Sequence, residues 1–410
     1  MSRKPSRGPN PKERQAFLAA LREAKMARSV HCYVRGNAVK FYDWLESDTG
    51  RRLPHGPPVW ICGDCHVGNL GPIASTAGRV DIQVRDLDQT VIGNPAHDLI
   101  RLGLSLATAA RSSDLPGYDT ARLIEAMIDG YRLALIDKRQ GKHSPDAKPV
   151  RRIMQRALRR RWKNLAEERI ENTRPTIPRG DTFWELAADE YTGLAKLLQL
   201  PELRRLVTSP KSRTNDAPIH LLDAAYWVKG CSSLGRLRYA VLVGVGNNKR
   251  KPKDIAFLDV KEAVAPAAPR AVGANIPPDN AERVVQGALH MSPNLGERML
   301  AAHLGSRAVF VRELMPQDLK LEMDKLTAKE AISAARYLAH VIGHAHARQM
   351  DAETKRKWHS MLSTKRTKKL DTPPWLWTSV VELLGEHESA YLEHCRRHPP
   401  ARRALMRRAS

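Results

Sequence analysis

The sequence predicts an α+β protein in which helices flank a block of strands, and two observations lead to this prediction. From Trp227 onward, two apolar runs enclose a polar turn of small and charged residues (GNNKRKPK), a pattern that is typical of an antiparallel hairpin. Outside this block, apolar residues return at helical spacing, as they do from Ala328 to Ala347. With 410 residues, of which 42% are hydrophobic, the chain can bury a sizeable core.

The other elements follow from the same two periodicities. An amphipathic helix is predicted for residues 11–26, because Phe17, Leu18 and Leu21 share one helical face. Short strands are predicted at 59–62 and 79–84, and each leads into a loop of polar residues. The remaining predicted elements are a helix that opens at Asp98, a helix over 118–135, charged helices over 136–206, a helix over 282–289, a strand over 309–311 and a basic helical C-terminal segment.

Composition limits the class of protein. No run approaches eighteen consecutive apolar residues, so no membrane span is expected. The five cysteines are too scattered for a disulfide framework, and no apolar signal segment follows the basic first residues, which favours a cytoplasmic location. The formal net charge of +24 indicates a surface that attracts polyanions, including nucleic acid and phosphorylated substrates.

The strongest chemical signal is GDCHVGN, followed by RDLDQ. Phosphoryl transfer needs a carboxylate that orients or deprotonates the attacking hydroxyl, and further oxygen ligands that hold Mg²⁺ against the phosphates. Asp64 can supply the acid and Asn69, five residues later on the same loop, a metal ligand. Asp86 ends the next predicted strand and can bridge the metal to the phosphates, with Asp88 beside it. Asp and Asn are also common in solvated turns, which is the competing interpretation.

The second signal is the glycine- and serine-rich segment GCSSLG, which precedes a predicted strand. Such a turn lets backbone N–H groups approach phosphates, and Lys261 on the paired strand can add a positive charge against them. An ordinary hairpin turn with an edge-strand lysine would have the same sequence.

Eight segments, in their order along residues 25–351, resemble the blocks of the bacterial family DUF2252. That family is itself similar to the protein-kinase and aminoglycoside-phosphotransferase superfamily. The resemblance implies a two-lobed kinase-like fold with extra helices and a circularly permuted lobe order, because the glycine-rich segment here follows the catalytic loop. The segments are KMARSVHCYVRG, WICGDCHVGNLG, RDLDQTVIGNPAHDLIRLGLSL, VKGCSSLGRLRYAVLV, FLDVKEA, AERVVQG, FVRELMP and LAHVIGHAHARQMD.

The resemblance also implies a role for individual residues in binding ATP and Mg²⁺. The implied roles are Asp64 and Lys261 as catalytic residues, Asn69, Asp86 and Asp88 as Mg²⁺ ligands, Gly230, Ser232, Ser233 and Gly235 as the phosphate cover, Asp98 as a brace for the catalytic loop, and Phe310 to Leu314, with Glu313, as the hinge that meets adenine. Glu282 is the candidate acid that pairs with Lys261, and Glu262 and Glu313 compete for that role. The chain departs from the family pattern at Arg85, Gln89 and Ser232, which bears on nucleotide affinity and turnover.

The implied organisation has five parts. They are an N-terminal basic helix (1–30), the catalytic-loop and metal-site part of a kinase-like C-lobe (31–135), a helical Arg-rich segment (136–220), a β-rich nucleotide cradle with the hinge (221–320), and a helical C-lobe part with a basic tail (321–410).

The expected activity is ATP- and Mg²⁺-dependent phosphoryl transfer to an acceptor that the sequence leaves open. The alternatives are a noncatalytic, pseudokinase-like protein that binds nucleotide or polyanions, and an enzyme that transfers AMP. Cys62, Cys65 and His66 also spell C-x-x-C-H, a pattern of haem attachment, which needs an exported chain, or of a zinc site, which needs a fourth ligand. His346 shares an apolar helical stripe and is expected to be a hydrogen-bonded core residue.

Overall fold

The computed structural model describes residues 8–112, 117–136, 146–160, 176–249, 252–319, 326–363 and 371–399. Its helices are α1 (Pro11–Met26), α2 (Val30–Gly36), α3 (Ala38–Trp44), α4 (Asp48–Arg51), α5 (Pro95–Ser112), α6 (Gly117–Ile136), α7 (Lys148–Arg159), α8 (Ala188–Leu197), α9 (Pro201–Thr208), α10 (Asn280–Met291), α11 (Pro293–Gly296), α12 (Ala328–Ala347), α13 (Ala352–Ser363) and α14 (Pro374–Arg397). Its strands are β1 (Val59–Ile61), β2 (Leu70–Ala74), β3 (Val80–Val84), β4 (Val91–Gly93), β5 (Phe183–Trp184), β6 (Ile219–Trp227), β7 (Arg238–Val245), β8 (Asp254–Glu262), β9 (Met299–Leu304) and β10 (Arg307–Glu313).

The strands from β5 to β10 form one antiparallel sheet in the order β5-β6-β7-β8-β10-β9. The predicted hairpin is its centre, where Arg238 pairs with Lys261 and Val245 with Asp254. The prediction of an α+β protein is therefore confirmed. Strand structure begins at Ile219, earlier than the predicted start, because the first half of β6 is only half-buried and its apolar pattern is weak. The edge strand β9 was not predicted either.

The two faces of this sheet differ in chemistry, because successive side chains of a strand point to opposite sides. One face packs an apolar core against α1, α8 and α9, to which Leu18, Leu194 and Leu203 contribute. The other face carries apolar residues at one end and, at the other end, the charged side chains of Lys261 and Asp259.

The helical part is held by a tight contact between α6 and α12. A Cβ atom at Gly130 would lie 1.9 Å from the carbonyl oxygen of Arg336, and one at Gly343 would lie 2.7 Å from that of Tyr131. Glycine at both positions therefore lets the two helices approach closely. The helix α12 begins where a capping box predicts it, since Thr327 Oγ1 accepts from the backbone N–H of Glu330 and a Glu330 carboxylate oxygen accepts from that of Thr327.

Two small antiparallel pairs carry the loops of the predicted site. In the first, β1 pairs with β4, so that Ile61 lies opposite Val91. In the second, β2 pairs with β3, and Leu70 lies opposite Val84. The register of the second pair places residue 69 beside residues 85 and 86.

Several predicted elements take a different form or lie outside the described residues. The segment 136–206 contains α7, α8 and α9 as predicted, but also the strand β5, and its residues 137–145 and 161–175 are not described. The basic residues 400–410 also lie outside the described part of the chain. Within the described residues, no helix combines the length and apolar character needed to cross a bilayer.

Candidate functional site

A cleft lies where the loop joining β6 to β7 faces the loops that follow β1 and β3. Among the residues that line it, basic side chains outnumber acidic ones by six to three. The basic residues are Arg35, Arg85, Lys229, Arg236, Arg238 and Arg312, and the acidic residues are Asp64, Asp86 and Asp88. The excess of positive charge favours an anionic ligand, such as one that carries phosphate groups.

Lys261 lies beneath the cleft and contacts two of its acids. The ammonium nitrogen is 3.1 Å from Asp86 Oδ2 and 2.5 Å from Asp88 Oδ2, and the lysine side chain is only 3% exposed. The same nitrogen lies 5.8 Å from the centre of the Phe310 ring, across the β8–β10 pairing. The carboxylates after β3 and the lysine on β8 thus converge, although about 175 residues separate them in sequence.

The two carboxylates lie close together, and their pKa values are shifted in opposite directions. Burial raises the pKa of Asp88, and the neighbouring charge of Asp86 raises it further, to about 6. For Asp86 the loss of hydration inside the cleft is outweighed by the charge of Lys261, so its pKa falls well below the usual range. Asp88 Oδ1 is buried without a hydrogen-bond partner in the described part of the chain. A guanidinium nitrogen of Arg236 lies 3.7 Å from the other carboxylate oxygen of Asp88, Oδ2.

Asn69 connects the two loops that carry the acids. Its Nδ2 donates to the carbonyl oxygen of Asp86 at 2.7 Å and to that of Asp64 at 3.3 Å. The backbone N–H of Arg85 donates to the carbonyl oxygen of Asn69 at 2.9 Å, which continues the β2–β3 ladder. With its nitrogen engaged by the backbone, Asn69 offers its amide oxygen as the atom that can bind a cation.

The loop that carries Asp64 is held from below by the first turns of α5. Asp98 is fully buried, and its carboxylate accepts hydrogen bonds from the backbone N–H groups of Cys62 at 2.7 Å and Gly63 at 2.9 Å. The predicted contact between Asp98 and this loop is therefore present. Three residues later on α5, the buried guanidinium of Arg101 forms an ion pair with the carboxylate of Asp64.

Sequence reasoning missed Arg101, although a signal was available. It interrupts the apolar run from Leu99 to Leu106, and a charged residue inside a buried helical stripe needs a partner.

A chain of buried hydrogen bonds supports Asp98 in turn. His346 Nε2 lies 3.2 Å from an Asp98 carboxylate oxygen, and its Nδ1 lies 2.8 Å from the hydroxyl of Tyr131. Trp358 Nε1 donates to the same hydroxyl at 3.1 Å, so the hydroxyl proton of Tyr131 is directed to His346. His346 therefore carries its proton on Nε2 and donates it to Asp98. The prediction that His346 is a hydrogen-bonded core residue is confirmed.

A second network, of buried ion pairs on the large sheet, lies beneath the cleft and was not predicted from the sequence. The carboxylate of Asp259 is fully buried between two arginines, accepting from Arg238 Nη2 at 2.6 Å and from Arg312 Nη2 at 2.8 Å. Burial of Asp259 is outweighed by the charges of Arg238 and Arg312, so its pKa falls far below the usual range. Arg312 also donates to the carbonyl oxygen of Arg85 at 2.7 Å, which ties the sheet to the loop that carries Asp86.

Comparison with known proteins identifies the family. Residues 14–397 match the model of the family described as "Uncharacterized protein conserved in bacteria (DUF2252)". The chain belongs to this family. No curated protein and no solved structure matches the chain. The DUF2252 match covers all of the residues that form the cleft.

In this DUF2252 protein the glycine- and serine-rich segment is the loop between β6 and β7. Gly230, with a φ of +91°, lines the cleft together with Ser232 and Ser233, and its carbonyl oxygen accepts from Lys25 Nζ at 3.1 Å. Gly235 also has a positive φ, of +96°, but it lies outside the lining of this cleft.

None of the three glutamates predicted to pair with Lys261 forms an ion pair with it. Among the described residues, the ion pairs of Lys261 are those with Asp86 and Asp88. Strand alternation explains two of the errors, because Glu262 and Glu313 project from the face of the sheet opposite to Lys261. Glu282 is exposed on α10.

Glu313 was also predicted to bind the cofactor, and the structure places its carboxylate elsewhere. It is 1% exposed and lies 2.7 Å from Arg213 Nη1, outside the lining of the cleft. Of the predicted hinge, Phe310 lies beside Lys261 and Arg312 lines the cleft, while the backbone N–H of Leu314 donates to the carbonyl oxygen of Phe257.

The C-x-x-C-H sequence does not form a metal centre in the described structure. Cys62 and Cys65 are buried, and the pKa of the Cys65 thiol is raised well above its usual value by its hydrogen bond with Cys62 and by burial. Burial lowers the pKa of His66 to about 3, so its ring stays neutral. The donor atoms of these residues are not among the described ligand sets that approach within 4.8 Å of one another. The alternative interpretation of this sequence as a three-ligand zinc site therefore gains no support from the described residues.

Proposed function

We propose that this member of DUF2252 is a kinase-like phosphotransferase that uses ATP and Mg²⁺ and whose two lobes occur in permuted order along the chain. One observation carries the proposal. The carboxylates of Asp86 and Asp88 meet Lys261 at a cleft that Asp64, Asn69 and the glycine-rich loop also line. These are the residue types that phosphoryl transfer requires, and they come from three distant parts of the sequence.

The donor set fits a magnesium ion. Asp86, whose side chain is 49% exposed, and Asp88, with its unpartnered Oδ1, present carboxylate oxygens, and Asn69 can add its amide oxygen. Magnesium prefers oxygen ligands and is usually bound by one or two carboxylates together with substrate phosphates. When bound, it would neutralise charge on the phosphates during transfer. A divalent cation bound beside Asp88 would oppose the rise in the pKa of this residue, because it would favour the charged carboxylate.

Asp64 serves as the acid–base residue in this proposal. Its side chain is 17% exposed to the cleft, and the ion pair with Arg101 fixes the direction of the carboxylate. The oxygen that is not paired can accept the proton of an acceptor hydroxyl, which orients that hydroxyl for attack.

The nucleotide phosphates would lie against the basic side of the cleft. Lys261 and the arginines at 236, 238 and 312 supply positive charge, and the positive φ of Gly230 turns the loop so that its backbone can approach a phosphate. The cleft holds about 970 Å³ of space, part of it open to solvent.

The test combines binding with product analysis. We expect ATP to raise the melting temperature only when Mg²⁺ is present, since a ligand that binds the native state stabilises it. Slow transfer to water would then release ADP and phosphate. Asp64→Ala should keep the ATP-dependent rise and lose the ADP, whereas Asp43→Ala, an exposed acid on α3, should keep both. Lys261→Met should lose the rise itself.

Other outcomes separate the alternatives. Release of AMP and diphosphate would assign AMP transfer, and nucleotide binding without turnover in the unaltered protein would assign a noncatalytic role. A rise in melting temperature that polyphosphate or nucleic acid produces without Mg²⁺, and that ATP does not, would contradict the proposal and favour polyanion binding.

A further inference from the structure

The first and last helices of the described chain meet at a small cluster of ligand-type side chains. Glu23 lies on α1, and His394 and His398 lie four residues apart at the end of α14. The Nδ1 atom of His394 is 3.6 Å from Glu23 Oε2, and the Nε2 atom of His398 is 3.9 Å from the same oxygen. The two imidazole rings are 4.8 Å apart, centre to centre.

The cluster stands apart from the other polar groupings in the molecule. Within the part of the chain that the structure describes, it is the set of three His, Cys, Asp or Glu residues whose donor atoms all lie within 4.8 Å of one another. It lies on different elements from the cleft and contributes nothing to the proposed phosphoryl transfer. Its function therefore needs a separate explanation.

The orientation of His394 is fixed by the backbone. Its Nε2 lies 3.0 Å from the carbonyl oxygen of Glu23, and because a carbonyl oxygen can only accept, Nε2 carries the proton. In the neutral ring, Nδ1 then has a free lone pair, and this lone pair is directed towards the Glu23 carboxylate. Two lone pairs facing each other at 3.6 Å repel unless a proton on Nδ1 or a metal ion lies between them.

A backbone hydrogen bond to one nitrogen is also the arrangement that orients metal-binding histidines. In protein metal sites, the ring nitrogen that is not bound to the metal usually donates to a carbonyl or carboxylate. Donor atoms about 2.0–2.2 Å from a tetrahedral zinc ion are separated by roughly 3.3–3.5 Å from one another. The separations of 3.6 and 3.9 Å are close to that value, so small side-chain movements would complete the geometry.

We propose that Glu23, His394 and His398 form a zinc site with one carboxylate and two imidazole ligands. Three protein ligands leave a fourth position for water. The exposure of the three side chains is compatible with a bound ion. The side chain of His394 is 9% exposed, while those of Glu23 and His398, at 32% and 40%, keep the ion accessible from solvent. The site would fasten α1 to α14.

The site has a structural link to the glycine-rich loop. Lys25, two residues after Glu23 on α1, donates to the carbonyl oxygen of Gly230. A metal ion that fixes α1 would therefore also hold Lys25 in place against the glycine-rich loop.

The experiment uses the full chain without a polyhistidine tag, freed of metal by a chelator and dialysed. Titration with Zn²⁺ at neutral pH should give one site per chain. Co²⁺ should give the visible absorption of a four-coordinate ion with no thiolate charge-transfer band, because no cysteine belongs to the set. Glu23→Gln and His398→Ala, which alter the more exposed ligands, should each weaken zinc binding by roughly 100-fold or more.

His303→Ala is the matched control. His303 also pairs with a carboxylate, at 2.9 Å from Asp279 Oδ2, but no third ligand-type side chain among the described residues joins them, so this variant should bind zinc as the unaltered protein does. The melting temperatures of all metal-free variants show whether the fold is kept. Absence of stoichiometric zinc binding would overturn the proposal, because Glu23 and His394 would then be a simple ion pair. Binding that persists in both Glu23→Gln and His398→Ala would overturn it as well, because the zinc would lie elsewhere.

Discussion

Replacing Asp98 with asparagine tests whether this buried carboxylate holds the loop that carries Asp64. The carboxylate accepts three hydrogen bonds, at Oδ1 from the N–H of Gly63, and at Oδ2 from the N–H of Cys62 and from His346 Nε2. An asparagine side chain has one acceptor oxygen and an NH₂ group that can only donate. If its oxygen occupies the position of Oδ2, the NH₂ group faces the N–H of Gly63 and one hydrogen bond is lost. In the reverse orientation, the hydrogen bonds from Cys62 and His346 are both lost.

The magnitude follows from that geometry. Leaving one buried N–H donor unsatisfied costs about 1–3 kcal/mol, and the two remaining hydrogen bonds lose the share that comes from the charge of the acceptor. We therefore expect a loss of about 3 kcal/mol in the free energy of unfolding. The entropy of unfolding of a 410-residue chain is roughly 0.9 kcal/mol per degree, so the melting temperature should fall by about 3–4 °C.

Calorimetry and hydrogen exchange measure the two consequences separately. The melting temperature of Asp98→Asn is compared with that of Asp43→Asn, an exposed acid for which we expect a change within about 0.5 kcal/mol. The backbone amides of Cys62 and Gly63 should exchange faster in Asp98→Asn. If the melting temperature changes by less than about 1 °C and both amides keep their protection, Asp98 does not brace the loop and the reasoning is refuted.

Three further predictions concern other parts of the fold. Gly63→Ala should destabilise the protein by more than Gly78→Ala. Both residues have positive φ, but a Cβ atom at residue 63 would lie 2.1 Å from the carbonyl oxygen of Gln89, whereas a Cβ atom at residue 78 would meet nothing within 4 Å. Equal melting temperatures of the two variants would contradict this prediction. Asp259→Asn should cost about 3–5 kcal/mol in chemical denaturation, because two buried guanidinium groups lose their counter-charge, and a loss under about 1 kcal/mol would count against it. Burial lowers the pKa of His387 to about 4 in the folded protein, whereas its ordinary value in the unfolded chain is 6.5. As the pH falls, the unfolded state therefore binds the proton first, and the folded state loses stability between pH 6.5 and pH 4. His387→Asn should remove roughly 2 kcal/mol of that loss at pH 5, as seen in melting temperatures near neutral pH and at pH 5 for both proteins.

The parts of the fold that the sequence predicts are those whose period is unambiguous. The β7–β8 hairpin has long apolar strands and a polar turn, and α12 has a capping box at its start, so local pattern and tertiary packing agree. The start of β6 and the edge strand β9 are half-buried, and a weak apolar pattern cannot distinguish them from loops. The approach of the acids to Lys261 was an implication of the family resemblance, because no local pattern relates the loop after β3 to β8.

The partners of charged residues were harder to predict, for a physical reason. The side chain that meets Lys261 depends on which face of each strand is turned to the cleft and on how closely a distant loop approaches. Alternation along β8 alone could have removed Glu262, since neighbouring residues of a strand point to opposite faces. Nothing local could have indicated Arg312, because its partner Asp259 is 53 residues away on another strand.

The order in which the parts of the cleft occur in the chain is immaterial to its chemistry, because the contacts that join the loop of Asp86 and Asp88 to the sheet are long-range. Asp86 and Asp88 repel each other until Lys261 reaches them from β8, and Arg312 also ties the loop that carries them to the sheet. A local segment that contains GDCHVGN and RDLDQ would hold the acids without the charge that compensates them. The cleft therefore requires both the small strand pairs and the large sheet to be folded, and loss of either should abolish binding of a phosphate-bearing ligand together with the low pKa of Asp86.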